Sequence, residues 1–308
     1  MPTFTPLPGD IVGAPPYRGV GCLTQVLFLK GDLAAQQRFC DLALNGPAGG
    51  ALTFRAVTDM VLVTGIYADS MGSMNDADRD KGMMQEWDVG FWTAVRGGRP
   101  GDEDNWQSYW LPSFLFVDSA AAMAAGREVF GYPKTAATFQ DRGQDHDDPS
   151  ATLVVQHFPR YGPGERPVVE PLVRVTLDDP GAHAPSPLQS IEAAWDIVKG
   201  VAPIHFGFPM PPLPGLGMPQ VMLRQARDAV AISEDPVSPA SLQEILLVTP
   251  TPVAIRGVGP LRSPAVVEIT PSASHPIMQT LGLGASQVAE LGFWVEQDFE
   301  VGAAVRLA

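Results

Sequence analysis

Proline occurs 31 times and glycine 31 times in 308 residues, scattered along the chain with no fixed period. Proline cannot continue a helix, and both residues mark turns. Such a chain can hold only short helices. Between the turns lie apolar, β-rich runs: Leu23 to Leu29, Met60 to Tyr67, Gln85 to Val95 and Ser108 to Val117. These read as strands. Segments 151–158, 167–177, 219–232, 242–255, 265–271 and 289–301 carry the same β-rich or alternating pattern.

Helical signals are few. Asp32 can cap a helix running to about Leu44, Asp118-Ser119 can cap the Ala-rich stretch 120–130, and residues 190–200 read as a third helix. Residues 1–19 read as an irregular arm and 68–84 as a long polar loop. The strands are not separated by regular helices, and no linker is flanked by a change of composition. The expected fold is α+β, mostly antiparallel β, in one domain spanning 1–308.

Acidic residues number 34 against 20 basic ones, for a net charge of −14. Phosphate binding needs the opposite balance, so nucleic acid is not an expected partner. No run of about 18 apolar residues exists to span a membrane. The N-terminus lacks the basic and apolar regions of a secretory signal, and Cys22 and Cys40 read as buried thiols. A cytoplasmic protein is expected. The sequence has no GxGxxG after a strand, no P-loop, no HExxH and no GxSxG. Asp76, Asp78 and Asp80 alternate as in a calcium loop, but Lys81 and Trp87 stand where that loop needs Gly and Glu. Neither a metal nor a diffusible cofactor is expected.

Lysine is scarce, with Lys30, Lys81, Lys134 and Lys199 only. Lys134 follows a sharp corner, Gly131-Tyr132-Pro133, at the end of the Ala-rich helix. It enters KTAATF, read as one strand with Lys134, Ala136 and Thr138 on one face. Phe130 and Tyr132 make the surroundings apolar. Burial there would lower the amine's pKa and free it to attack a carbonyl. The same pattern also fits a lysine that reaches from a strand edge to water.

The segment GREVFGYPKT, residues 126–135, resembles the GRExxxYPKK-type signature of the acetoacetate decarboxylase family. FLFVDSAAAMAAGRE upstream is similar to the same family. So, in order, are PQVMLR, SLQEILLV, RGVGPLRSPAVVEI and SHPIMQTLGLG downstream. The resemblance runs from about residue 20 to 305. It implies a cone-like antiparallel β-barrel with outer helices, a homo-oligomer, and a Schiff-base lysine at Lys134.

The family's second lysine is Thr135 here, so no adjacent cation activates the amine and desolvation must do so. The resemblance further implies Glu86 as a proton or orientation partner, and Arg18 as the nearest candidate for the substrate carboxylate. Tyr132 and Phe114 would line an apolar pocket, and Arg127 with Glu128 would be a charged pair holding the corner. The implied activity is a carbon–carbon lyase acting on a small keto acid, by decarboxylation of a β-keto acid. A pyruvate-type aldolase–dehydratase through the same lysine is the alternative within enzymes. A non-catalytic binder of a small carbonyl or apolar ligand is the alternative outside them.

Overall fold

The computed structural model describes residues 4–5, 7–179, 181, 219–230 and 239–308. The expected helix at 190–200 lies outside the described residues. The chain opens with four long strands, β1 (Tyr17–Lys30), β2 (Thr53–Ser73), β3 (Met84–Gly98) and β4 (Gln107–Val117). Each pairs antiparallel with the next. After the helix Ala120–Ala125 come β5 (Lys134–Ala136), β6 (Thr138–Gln140), β7 (Ala151–His157) and β8 (Val168–Leu177). The remaining described strands are β9 (Gln220–Arg227), β10 (Ala240–Val248), β11 (Pro250–Pro260), β12 (Ala265–Ile269), β13 (Ser286–Val288), β14 (Leu291–Val301) and β15 (Val305–Arg306).

These strands form two sheets. The larger has the order β11-β14-β1-β2-β3-β4-β9-β10-β15, with β5 also paired to β4; the smaller has the order β13-β12-β8-β7-β6. Most pairings are antiparallel, as expected of an α+β chain of this composition. Only Thr249 separates β10 from β11, although the two stand near opposite ends of the larger sheet. The sheet must therefore curl until its ends approach. Met222 and Val248 from one end pack with Phe299 and Val301 from the other. No ladder among the described residues joins those ends, so strand pairing there does not establish the expected cone-like barrel.

The apolar runs are continuous because the central strands are buried on both faces. Leu27, Leu29, Val61, Val63 and Phe91 face the smaller sheet and pack on Leu153, Val155, Leu172 and Val267. Their neighbours Val26, Phe28, Leu62 and Trp92 pack on the opposite face, with Leu115 and Val295. Cys22 and Cys40 are buried free thiols, each pushed up to about 12 by burial first of all.

Three boundaries differ from expectation. The arm ends earlier, because Tyr17 to Gly19 already pair with β2 and β14. The loop 68–84 is mostly regular: β2 runs to Ser73, a 3-10 turn fills Asp76–Lys81, and β3 begins at Met84. KTAATF is two strands, β5 in the larger sheet and β6 in the smaller, so alternation does not carry across Ala137. None of the described helices is long and apolar enough to cross a membrane.

Candidate active site

Lys134 owes its position to the corner before it. Ser119 caps the helix Ala120–Ala125, its hydroxyl accepting from the Ala122 amide at 3.2 Å. The helix then widens into one π turn, Gly126–Phe130, and stops at Gly131, whose φ is 81°. A Cβ at Gly131 would sit 2.6 Å from the Arg224 Cα, so both backbone conformation and close packing demand glycine there. The Tyr132 amide donates back to the Gly126 carbonyl at 3.0 Å, and the Lys134 amide to the Tyr132 carbonyl at 2.7 Å. β5 then pairs parallel with β4, Lys134 opposite Leu115.

The lysine stem lies against the helix end. A Cβ at Gly126 would be 2.7 Å from Lys134 Cδ. The amine is held between two carboxylates, with Nζ 2.6 Å from Glu86 Oε1 and 3.1 Å from Asp88 Oδ2. Glu86 and Asp88 stand two apart on β3 and so share one face. The three side chains are only 12%, 9% and 11% exposed. They line a cavity of about 410 Å3, whose wall is mainly apolar, including Ile66, Leu115, Ala122, Phe130, Phe299 and Val301.

The electrostatics differ from the sequence expectation. Burial pulls the Lys134 pKa down, but Glu86 and Asp88 outweigh it, and the net direction is upward. The resting amine is therefore an ammonium ion, not the free base that desolvation alone would give. Asp88 is pushed up to about 6, by burial first, against the pull of Lys134 and with the help of Glu86. Its Oδ1 has no hydrogen-bond partner among the described residues. Burial also raises the Tyr132 phenol, which donates to Gln220 Oε1.

Lys134, Glu86 and Tyr132 meet in the cavity; Arg18 and Phe114 do not. Tyr17 lines the cavity, so Arg18, next on β1, points to the other face and pairs with Glu300 at 3.9 Å. Leu115 lines the cavity, and its neighbour Phe114 packs instead into the core between the sheets. Arg127 and Glu128 do not pair with each other. Arg127 donates to the Lys134 carbonyl at 3.0 Å, while the Val129 carbonyl accepts from Arg224 at 3.0 Å. Asp88 was not singled out from sequence, although its spacing from Glu86 on a strand could have pointed to it.

The loop between β2 and β3 covers the cavity together with the arm. Gly72, Ser73, Lys81, Gly82 and Met84 line it beside Gly9, Asp10, Ile11 and Gly13. Lys81 ties the two segments together, donating to the Val12 carbonyl and pairing with Asp78 at 2.9 Å and Asp10 at 3.5 Å.

Comparison with solved structures decides the fold. Acetoacetate decarboxylase from Legionella pneumophila superposes with a TM-score of 0.63 at 16% identity, over 100% of this chain and 92% of that one. The chain has the acetoacetate decarboxylase fold. An acetoacetate decarboxylase-like enzyme from Sphingomonas wittichii RW1 gives 0.56 at 14% identity, over 99% and 98% of the two chains. The enduracididine biosynthesis enzyme MppR, complexed with the condensation product of pyruvate and imidazole 4-carboxaldehyde, gives 0.54 at 12% identity, over 98% and 92%. No family model matches the sequence, and no curated protein matches it.

Proposed function

We propose that this chain is a Schiff-base enzyme in which Lys134 condenses with a carbonyl substrate. The observation that carries the reading is the amine itself: nearly buried in an apolar cavity and within reach of two carboxylates. Asp88, with its pKa near neutrality, accepts the ammonium proton as substrate displaces water. The freed amine attacks the carbonyl carbon, and the oxygen leaves as water after taking up protons. The resulting iminium occupies the place of the ammonium, so the same carboxylates stabilise its charge. A carboxylate then removes the α-proton, giving an enamine.

Two fates of the iminium follow. The paired carboxylates supply the repeated proton transfers that enamine attack on an aldehyde and dehydration require, and this favours an aldol-type condensation. MppR, with its bound condensation product, is consistent with it. Decarboxylation of a β-keto acid gives the same enamine by loss of carbon dioxide, and the likeness to acetoacetate decarboxylase supports it. Borohydride reduction in the presence of a ketone, followed by peptide mass spectrometry, tests the shared step. The adduct is expected on Lys134 and absent in Lys134→Ala. An unlabelled Lys134 across a broad carbonyl panel overturns the reading.

A further inference from the structure

Every arginine of this chain lies among the described residues, and none lines the cavity. Of the described lysines, Lys81 and Lys134 line it. Lys134 is committed to Glu86 and Asp88, and Lys81 to Asp10, Asp78 and the Val12 carbonyl. Among the described residues, the carboxylates of Asp10, Glu86 and Asp88 line the same cavity. A ligand carboxylate entering there would find no planar bidentate partner. It would also meet an excess of negative charge in surroundings too apolar to screen it. Thr24 and Asp88 line the cavity, and neither Thr24 Oγ1 nor Asp88 Oδ1, both buried, has a hydrogen-bond partner among the described residues. The volume of about 410 Å3 lies within the range of roughly 300–1,000 Å3 typical of ligand pockets.

We infer that the site takes an uncharged aldehyde or ketone with an apolar tail and discriminates against keto acids, which favours the aldol-type fate over decarboxylation of a β-keto acid. The tail lies along the Ile66, Leu115, Phe130 and Val301 wall, and the carbonyl reaches Nζ. The condensation itself needs no other reactant: a C–N bond forms, the C–O bond breaks, and one water leaves. Discrimination arises before that step, in the desolvation of the ligand.

The inference rests on the Schiff-base reading for the adduct but not for the preference of charge. Titration calorimetry of the full chain with 2-octanone and 7-oxooctanoate, without reductant, reads charge preference directly. The two probes share the methyl ketone and chain length and differ in the terminal carboxylate. Binding of 2-octanone is expected to be at least about tenfold tighter, as for an ion buried without a partner. Acetoacetate is expected to be weak as well. Equal or tighter binding of either acid, or no binding of 2-octanone, overturns the inference. Borohydride is added in a separate arm. If 2-octanone binds with that preference yet leaves Lys134 unreduced, the Schiff-base reading fails and the charge preference stands.

Discussion

At Lys134 one cation answers two buried carboxylates, and this makes the site sensitive to pH in a defined sense. Asp88 has its native pKa pushed up to about 6, above its ordinary value. Above pH 6 it is an anion and can accept the lysine's proton; below, it is already protonated and the ammonium stays locked to Glu86. The rate of reductive labelling of Lys134 by 2-octanone should therefore rise through an inflection near pH 6. Asp88→Asn should abolish that inflection, and an unchanged profile would remove Asp88 from the mechanism. Lys134→Met carries a stability consequence with its own sign. Removing one partner of a buried ion pair costs about 3–5 kcal/mol. Asp88, now without its cation, holds a proton more tightly in the native state. Its penalty is then present at high pH and relieved as pH falls. Urea midpoints of variant and wild type should differ more at pH 8 than at pH 5; an equal gap would show that the cluster is not what the substitution disturbs.

The element that aims Lys134 is the corner between helix and strand, and its two glycines do different things. Gly131 has a left-handed φ of 81° and no room for a Cβ, so Gly131→Ala should cost about 1–3 kcal/mol in denaturant unfolding. Gly126, at the start of the π turn, has ordinary helical angles (φ −59°, ψ −45°) and crowds only the Lys134 stem. Gly126→Ala should leave the unfolding midpoint nearly unchanged while slowing Lys134 labelling by on the order of 100-fold, as a displacement of about 1 Å does. A parallel loss of both would mean that Gly126 supports the fold and not the aim of the amine. This corner was legible in sequence, since Gly131 and Pro133 punctuate the helix end. The ion cluster was only half legible. Glu86 came from resemblance, whereas Asp88 needed the strand's alternation to be followed one step further. Alternation also explains Arg18 and Phe114: each sits one residue from a cavity-lining neighbour, Tyr17 and Leu115, and so faces away. The break at Ala137 was not legible, because nothing local to KTAATF shows that its two halves join different sheets.

For the molecule as a whole, the cavity is where distant parts of the chain converge. The curl of the larger sheet brings β14 and β9 to one wall, β1 to β3 supply another, and the arm and the β2–β3 turn cover it. Dryness at Lys134 thus depends on a contact far from it in sequence, the tie from Lys81 to Val12, Asp10 and Asp78. Lys81 belongs to none of the apolar core clusters, so its removal should spare global stability. Loosening the cover instead admits water beside the amine, which weakens both the apolar hold on a ligand and the electrostatics within. Lys81→Met should therefore leave the thermal midpoint within a few degrees of wild type. It should also speed amide exchange across residues 9–14 and weaken 2-octanone binding by about tenfold, or ~1.4 kcal/mol. High salt should mimic the variant only weakly, because partly buried pairs are screened much less than exposed ones. Unchanged exchange in the arm would show that shape alone, without the ion pairs, holds the cover down.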